Sequence, residues 1–464
     1  MAAPRHLRSR TRMTDITRDV VIVGAGVSGL TAANELVKAG KTVAVLEARD
    51  RVGGRLWTRE IDGAMLEIGG QWVSPDQDAL IGTLEDLGLE TYSRYREGDS
   101  VYIDADGALT TFTGEIFPVS AETQREMERL IGVLDQLVAE IGIAAPWDHP
   151  RAKELDTITW KAWLEAQTED QEARDNIGLF IAEAMLTKPS HAISALQAIQ
   201  MAASAGSFTH LVDSDFILDK RVVGGLQSVP IALAEKLGGD VFLNQPVRRI
   251  EHDDDSVTVV ADGMTVSAKR VIVAVPPNLY SRIDFQPALP RRQHQMHQHL
   301  SLGLVIKVHA VYDRPFWREA GLSGTAFSPY ETVHEAYDNT NHGDSKGTLV
   351  GFVSDETADG LFELSEEERK HRILTSLSHY YGEQALSPEV YYESDWGTEE
   401  WTRGAYAASF DLGGLSRYGA DLRTPVGVIH WSCSDLAAEG FQHVDGAIRV
   451  GRETAAVIAD ELNA

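Results

Sequence analysis

A glycine-rich turn near the start of the chain constrains the fold more than any other feature. Gly24, Gly26 and Gly29 follow an apolar stretch at residues 20–23 and precede a segment rich in alanine. Between a strand and a helix, glycines at this spacing permit a tight turn, the close approach of a pyrophosphate and close packing of the helix on the strand. The next apolar stretch ends at Glu47, where a carboxylate can accept hydrogen bonds from both hydroxyls of an adenosine ribose and would repel a 2′-phosphate. The sequence therefore predicts an α/β unit that binds FAD or NAD rather than NADP.

Glycine pairs and arginines follow this unit directly. Bare backbone and positive charge just beyond the ribose site suit a second contact with the same diphosphate. The later chain carries no second GxGxxG, which argues against a flavoprotein that binds NAD(P)H in a domain of its own. These motifs alone leave FAD and NAD open. The candidate cofactor-binding residues of this stretch are Arg49, Gly53, Gly54, Arg55, Gly70 and Trp72.

Length, charge and cysteine content narrow the class of protein. A chain of 464 residues exceeds what one core usually organises, so we expect two domains. A net charge of −28 disfavours nucleic acid and anionic membranes as partners and would attract small cations, although it also serves solubility alone. Cys433 is the only cysteine, which excludes a disulfide framework and a thiolate zinc site, and we expect no metal.

Neither end of the chain carries a membrane signal. Residues 1–12 contain four arginines and no acid but lack the apolar core of a signal peptide, so we expect a disordered extension over residues 1–14. The chain has no apolar run long enough to span a membrane, and its last segment, residues 457–464, is polar. We therefore expect a soluble, cytoplasmic protein of bacterial type, and the sequence leaves monomer and homodimer open.

Hydrophobic periodicity predicts several elements outside the cofactor motifs. Apolar residues recur at helical spacing over residues 121–143, and a hairpin is expected over residues 101–114. A helix is expected to begin at Val222 and to end near residue 237. Trp160 and Trp163 lie three residues apart on one helix face, which favours a place in the core over an aromatic binding box.

With these motifs, the chain resembles the flavin-containing amine oxidases, the relatives of monoamine oxidase and polyamine oxidase. The resemblance implies an α/β fold in which a Rossmann-like FAD-binding domain is joined to a discontinuous substrate-binding domain of mixed sheet and helices. The FAD-binding domain would comprise residues 15–92, 215–297 and 398–464. The substrate-binding domain would comprise residues 93–214 and 298–397.

The resemblance also implies cofactor contacts in the second half of the chain. In the family, the position of Val247 offers its backbone to the adenine, and the stretch that begins at Trp401 meets the flavin ring. Asp435 matches an acidic residue that binds the ribityl chain, although Cys433 replaces a family glycine just before it. Val444 lies at the start of the last helix, whose N-terminus points at the flavin pyrimidine and can stabilise negative charge there.

Lys307 interrupts an otherwise apolar strand over residues 302–312. A lysine in such a run is costly to bury unless its charge or its donors are used, and the alternative is an edge-strand lysine that faces solvent. In the family, the lysine of a GxxIK segment that is followed by Pro-Phe-Trp holds a water against flavin N5. The tripeptide is present here at residues 315–317, so the resemblance assigns this role to Lys307.

The resemblance places two side chains around the reacting amine. Tyr406 matches one wall of the family's aromatic cage, and counting back from Gly446 aligns His443 with the second wall, with Phe441 as the alternative if the register slips by two. Monoamine oxidases carry the cysteine that joins FAD covalently just before the cage tyrosine. Ala405 stands at that position, so we expect FAD to be bound without a covalent link.

The predicted reaction is the oxidative deamination of a primary amine, with dioxygen as electron acceptor and an aldehyde, ammonia and hydrogen peroxide as products. Acids at residues 331–338 suggest a diamine such as putrescine, whose distal ammonium needs a counter-ion. Glu335 is the first choice and Glu331 the second, and solvated loop acids are the alternative. Other amine oxidases and an L-amino-acid oxidase are the nearest rivals. A carrier of prenylated small GTPases, which shares the fold and binds no flavin, is a remote one.

Overall fold

The computed structural model describes residues 14–114 and 117–464. The predicted extension at residues 1–14 lies outside them except for Thr14, which begins the first strand. Strands β1 to β24 span, in order, Thr14–Thr17, Val20–Val23, Val43–Leu46, Thr58–Ile61, Ala64–Glu67, Trp72–Val73, Thr91–Ser93, Asp99–Ile103, Leu109–Phe112, Lys220–Val222, Val241–Phe242, Val247–His252, Val257–Ala261, Met264–Ala268, Arg270–Val273, Asp284–Gln286, Leu300–Gly303, Val305–Tyr312, Leu322–Phe327, Glu335–Asp338, Gly347–Ser354, Val390–Asp395, Ala405–Phe410 and Ile429–Trp431. Helices α1 to α16 span, in order, Val27–Lys38, Asp78–Leu87, Ala121–Ile141, Ala152–Thr157, Trp160–Gln167, Gln171–Ile181, Ala195–Ser204, Phe208–Val212, Ser214–Ile217, Ser228–Leu237, Arg291–Gln298, Phe316–Glu319, Asp355–Phe362, Glu366–Tyr381, Gly414–Tyr418 and Val444–Asn463.

A parallel five-stranded sheet, in the order β11-β3-β2-β15-β24, carries the glycine-rich turn. Its central strands are apolar and buried along their whole length, which is the pattern of a parallel sheet covered on both faces. Val20 and Ile22 pack in one cluster with Leu30 of α1, whereas Val21 and Val23 pack in another with residues of a second five-stranded sheet, β1-β14-β13-β12-β16. The predicted dinucleotide-binding unit is thus a sheet between a helical layer and a second sheet.

A mixed seven-stranded sheet, in the order β22-β18-β21-β20-β19-β8-β9, forms the other large layer. Strand β18, which carries Lys307, pairs on both sides, and all its residues are buried. The alternative of an exposed edge-strand lysine is therefore wrong. Lys307 lies directly opposite Phe352 of β21, and Phe352 lies opposite Glu335 of β20. Side chains opposite one another in a sheet point to the same face, so these three form one row.

The structure corrects or confirms the predictions made from periodicity. The predicted hairpin is formed by β8 and β9, and α3 occupies most of the predicted helix. The helix expected to begin at Val222 begins instead at Ser228, because Gly224 and Gly225 form a turn with positive φ angles of 81° and 92°. Trp160 and Trp163 stack in the core with ring centroids 5.2 Å apart, which confirms the prediction that they belong to the core. Across residues 14–114 and 117–464, the longest helices are not apolar enough to traverse a bilayer.

Candidate active site

A continuous cavity of about 310 Å³ connects the glycine-rich turn with the seven-stranded sheet. It brings together sixteen of the eighteen predicted site residues, and Gly29 and Asp435 do not line it. The predicted residues that line it are Gly24, Gly26, Glu47, Arg49, Gly53, Gly54, Arg55, Gly70, Trp72, Val247, Lys307, Glu335, Trp401, Tyr406, His443 and Val444. Residues that are distant in sequence thus line the same cavity.

The glycine-rich turn presents bare backbone to this cavity. A Cβ atom added to Gly26 would meet nothing within 4 Å, and one added to Gly54 would lie 3.6 Å from the Gly26 Cα atom. Side chains at these positions would therefore occupy cavity space. Gly29 has a different function, since a Cβ there would lie 2.2 Å from the Gly24 carbonyl oxygen, against the strand. The turn thus has the bare cradle that a dinucleotide pyrophosphate requires at the start of a helix.

Glu47 lies at the end of β3, where the cavity passes the glycine-rich turn. Its carboxylate accepts hydrogen bonds from the backbone N–H groups of Ala25, at 2.8 Å, and Arg49, at 3.0 Å. Each bond uses a different oxygen, and each oxygen keeps a lone pair for a further donor such as a ribose hydroxyl. The Glu47 carboxylate therefore suits the ribose of a dinucleotide. The Trp401 ring, which also lines the cavity, lies 4.3 Å from the guanidinium of Arg282.

Arg55 connects the cofactor end of the cavity with Tyr406. Its guanidinium donates to the Tyr406 carbonyl oxygen at 2.7 Å and to Asp435 Oδ2 at 2.5 Å. Burial opposes the ionisation of Asp435, but the charge and hydrogen bonds of Arg55 outweigh it and lower the pKa of Asp435 below its ordinary value. The Asp435 carboxylate also accepts from the Cys433 thiol at 2.7 Å and from the Ala408 N–H at 2.6 Å. Asp435 therefore does not line the cavity itself, but it binds Arg55, which does.

Lys307 lines the cavity with 4% of its surface exposed. Its Nζ donates to the carbonyl oxygens of Glu67 and Gly69, both at 2.7 Å, and to Gln71 Oε1 at 2.5 Å. Three acceptors match the three donors of an ammonium group. Burial lowers the pKa of Lys307 to about 7. The lysine thereby holds the segment that carries Trp72 against the cavity.

Aromatic side chains and one carboxylate line the opposite end. The ring of Phe352 lies 6.5 Å from that of Tyr406 and 5.8 Å from that of Trp72. The Tyr337 hydroxyl donates to Glu335 Oε2 at 2.8 Å. Burial, followed by the charge of Glu335, raises the pKa of Tyr406 well above its ordinary value, which places the two side chains close together. This end of the cavity is therefore mainly aromatic, and among the described lining residues Glu335 supplies its carboxylate.

The structure separates the two predicted acids. Glu335 is the first residue of β20, is 9% exposed and lines the cavity. Glu331 lies off the cavity, where Ser376 donates to Oε2 at 2.7 Å and the His379 Nδ1 atom lies 2.9 Å from Oε1. The alternative that both are solvated loop acids is wrong for Glu335, which is a buried strand residue.

The start of α16 distinguishes His443 from Phe441 in the same way. His443 lies immediately before the helix and lines the cavity, whereas Phe441 is buried and lies outside it. The His443 Nδ1 atom lies 3.0 Å from the Phe441 carbonyl oxygen, so Nδ1 carries the proton and Nε2 is unprotonated in the neutral ring. Burial lowers the pKa of His443, and the charge of Asp76 partly opposes this effect.

Sequence reasoning missed much of the cavity wall. Gln71 could have been found, because it directly follows a glycine pair and precedes Trp72. The others carry no signal beyond ordinary hydrophobic periodicity, because they meet only after the chain has folded. The missed wall residues include Phe180, Met185, Leu211, Ile217, Leu218, Tyr337, Phe352, Trp396, Thr402 and Gln442.

Comparison with known proteins agrees with this site. The model of the flavin containing amine oxidoreductase family matches residues 27–459. The chain is 65% identical to putrescine oxidase from Kocuria rosea over 457 residues, which cover 96% of each chain. A solved structure of wild-type putrescine oxidase bound to putrescine matches with a TM-score of 0.95 and 67% identity, over 97% of this chain and 100% of that chain. A second solved structure, at a TM-score of 0.96 and 67% identity over 96% of this chain and 100% of that one, comes from a redesign of cofactor binding in putrescine oxidase by an alanine-to-cysteine substitution. These matches confirm the predicted fold class, and the chain belongs to the family of flavin-containing amine oxidoreductases.

Proposed function

We propose that this protein oxidises a primary diamine such as putrescine, with non-covalently bound FAD as cofactor and dioxygen as electron acceptor. The observation that carries the proposal is the buried carboxylate of Glu335 at the aromatic end of the cavity. The similarity to putrescine oxidases supports the choice of substrate.

FAD would be held mainly by residues of the parallel sheet and its loops. The turn at Gly24 and Gly26 and the pair at Gly53 and Gly54 would accommodate its pyrophosphate, and Glu47 would accept from the ribose. When bound, FAD accepts two electrons from the amine and passes them to dioxygen. Support for a non-covalent link comes from Ala405, which offers no sulfur, and from a relative in which cofactor binding was redesigned by an alanine-to-cysteine substitution.

The residues at the aromatic end of the cavity would favour the neutral form of the reacting amine. Tyr406, Phe352 and Trp72 exclude water and favour the neutral form of the reacting nitrogen, because burial penalises its charged form. His443 would form a second wall near the start of α16. Lys307 would hold residues 67–71 against the cavity, since its hydrogen bonds to Glu67, Gly69 and Gln71 engage all three donors of the ammonium. The water-holding role that the resemblance implies would require one of these bonds to be exchanged for a bond to water.

Glu335 would bind the second nitrogen of the diamine as an ammonium. An ammonium that leaves water needs a counter-ion, and Glu335 supplies one within an otherwise aromatic wall. The Tyr337 hydroxyl orients the carboxylate and leaves its second oxygen for the substrate. A monoamine of the same length has no charge for Glu335 to bind.

An L-amino-acid oxidase is the alternative, and the charges of the cavity disfavour it. Such an enzyme needs an arginine to bind the substrate carboxylate. Among the described residues that line the cavity, the arginines are each paired with an acid: Arg49 with Glu399, Arg55 with Asp435 and Arg282 with Glu400. Glu335 would also repel a carboxylate at the substrate end.

Peroxide release from a panel of amines tests the proposal. We expect the highest kcat/KM for a diamine with four methylenes, lower values for monoamines and none for amino acids. A preference for an amino acid, or for butylamine over putrescine, would contradict the proposed substrate. A colourless purified protein that releases no flavin on denaturation would instead contradict the proposed cofactor.

The division into two discontinuous domains remains a separate proposal, which limited proteolysis of the holoenzyme can test.

A further inference from the structure

Gln71 supplies the side-chain acceptor among the three acceptors around the Lys307 ammonium. Its Oε1 atom accepts from Nζ at 2.5 Å, whereas the other two acceptors are the backbone carbonyl oxygens of Glu67 and Gly69. Gln71 lines the cavity and is 2% exposed. Because all three donors of the ammonium are engaged by protein, a group in the cavity can receive one of them only by displacing an acceptor.

The backbone that supplies the other two acceptors is held in place. Glu67 pairs with Thr58 in the β4–β5 ladder, and the Gly70 N–H donates to the Arg55 carbonyl oxygen at 3.2 Å. The packing is so close that a Cβ added to Gly69 would lie 2.1 Å from that same oxygen. These two carbonyl groups can therefore turn away from the lysine only if the surrounding backbone contacts break.

The Gln71 amide is oriented by a second hydrogen bond, in which its Nε2 atom donates to Asn339 Oδ1 at 2.6 Å. An ammonium group only donates, so the amide oxygen faces Lys307 and the amide nitrogen faces an acceptor. Asn339 is 2% exposed and directly follows β20, and its carbonyl oxygen accepts from Arg221 at 2.7 Å. Gln71 thus connects Lys307 with the strand that carries Glu335. Unlike a backbone carbonyl, its amide can leave by rotation of one side chain.

The position of Gln71 Oε1 is the place through which Lys307 can donate to the cavity. The three N–H bonds of an ammonium point to the corners of a tetrahedron, so two fixed acceptors also fix the direction of the third bond. We propose that Gln71 is a positioning residue that controls access to this donor. Its amide keeps the third N–H of Lys307 on the protein, and a water takes the place of Oε1 when the amide rotates away. The inference rests on the proposed role of Lys307 in amine oxidation.

Two substitutions of Gln71 separate the loss of the acceptor from the opening of space. Gln71→Ala removes the amide and leaves room for a water, whereas Gln71→Leu removes the amide but keeps the place filled. The measurement is the stopped-flow rate of the flavin step that slows in Lys307→Met, whether that is reduction by putrescine or reoxidation by dioxygen. We expect this rate to rise about 2- to 10-fold in Gln71→Ala, the factor that one net hydrogen bond represents. In Gln71→Leu it should fall toward the rate of Lys307→Met, because the donor is left without a partner.

Double variants show whether Gln71 acts through the lysine. In the Lys307→Met background, Gln71→Ala and Gln71→Leu should differ by less than about twofold, because no donor remains to be controlled. Gln293→Ala is a matched control, since it truncates a glutamine of α11 that is 5% exposed and lies off the cavity. Both flavin steps should keep their unmodified rates in that variant. Flavin absorbance and the thermal unfolding midpoint verify that each variant is folded and holds the cofactor.

A crystal structure of Gln71→Ala provides a readout that does not depend on turnover. It should contain a water about 2.7–3.2 Å from Lys307 Nζ, in the place vacated by Oε1. The carbonyl oxygens of Glu67 and Gly69 should remain bound to Nζ, because their backbone does not depend on the amide. A collapsed or dry space beside Nζ would overturn the inference.

The rates give outcomes that separate this inference from the proposed function. Equal rates in Gln71→Ala and Gln71→Leu overturn the inference alone, as does a slowing in Gln71→Ala as large as that in Lys307→Met. Unchanged rates in Lys307→Met overturn it together with the proposed role of the lysine. Absence of peroxide from every amine contradicts the proposed function itself, and the crystal structure of Gln71→Ala then still tests the water site.

Discussion

Replacing Glu335 by glutamine removes one negative charge from the cavity wall and preserves the shape of the side chain. An amide oxygen remains for the Tyr337 hydroxyl, which lies 2.8 Å from the carboxylate in the present structure. An ammonium that contacts a carboxylate at about 4 Å gains about 4 kcal/mol at an effective dielectric constant of about 20. Dehydration of the ammonium offsets part of this gain. We therefore expect the activation free energy for putrescine, relative to free enzyme and substrate, to rise by about 2–4 kcal/mol. This rise corresponds to a decrease in kcat/KM of about 30- to 1000-fold.

Butylamine and a second variant provide the controls for this measurement. Peroxide release from butylamine should change little or increase in Glu335→Gln, because its apolar tail no longer faces a charge. Glu331→Gln makes the same chemical change four residues earlier, where the carboxylate is bound by Ser376 and His379 and lies off the cavity. Both amines should retain nearly unmodified kinetics in that variant. Equal losses for the two amines in Glu335→Gln, or a matching loss for putrescine in Glu331→Gln, would refute the reasoning.

Three further predictions concern the cofactor and Lys307. Acid precipitation should leave the flavin in the supernatant, because Ala405 has no sulfur, and Ala405→Cys should retain it in the pellet; a yellow pellet from the unmodified enzyme would contradict this. Lys307→Met should keep FAD bound and slow flavin reduction or reoxidation in stopped flow, because it removes donors, whereas unchanged rates for both steps would indicate a purely structural lysine. Because burial lowers the pKa of Lys307 from 10.5 to about 7, the unfolded chain binds more protons than the folded chain between these pH values. The unmodified enzyme should therefore gain thermal stability relative to Lys307→Met as the pH rises from 7 to 9, and a constant difference between their unfolding midpoints would exclude this shift.

The cofactor end of the cavity could be predicted because its determinants are local. Gly24, Gly26 and Gly29 fall within six residues, and Glu47 ends the very next strand of the sheet. The tightest restriction at Gly29, a distance of 2.2 Å from an added Cβ to the Gly24 carbonyl oxygen, involves only the turn and the start of the helix. Such short-range requirements are visible in a sequence.

The substrate end could be predicted only in part, because its residues meet across long stretches of chain. Phe180 and Met185 come from a helical segment whose periodicity indicates burial but not what is buried. Glu331 and Glu335 are the same residue type within one short acidic stretch. Their environments differ because β20 begins at Glu335. The role of Arg55 as the link to Asp435 was not foreseen either, since the two residues are 380 positions apart.

The register of the seven-stranded sheet connects the two ends of the proposed reaction site. Lys307, Phe352 and Glu335 occupy opposed positions on three neighbouring strands, and all three line the cavity. Neighbouring strands lie about 4.8 Å apart, so the backbone positions of Lys307 and Glu335 are separated by about 10 Å. A slip of one residue would turn the side chains of a strand to the other face. The distance between the lysine proposed to serve the flavin and the carboxylate proposed to bind the distal ammonium is therefore set by backbone hydrogen bonds, and the preferred length of the diamine should resist substitutions elsewhere in the cavity wall.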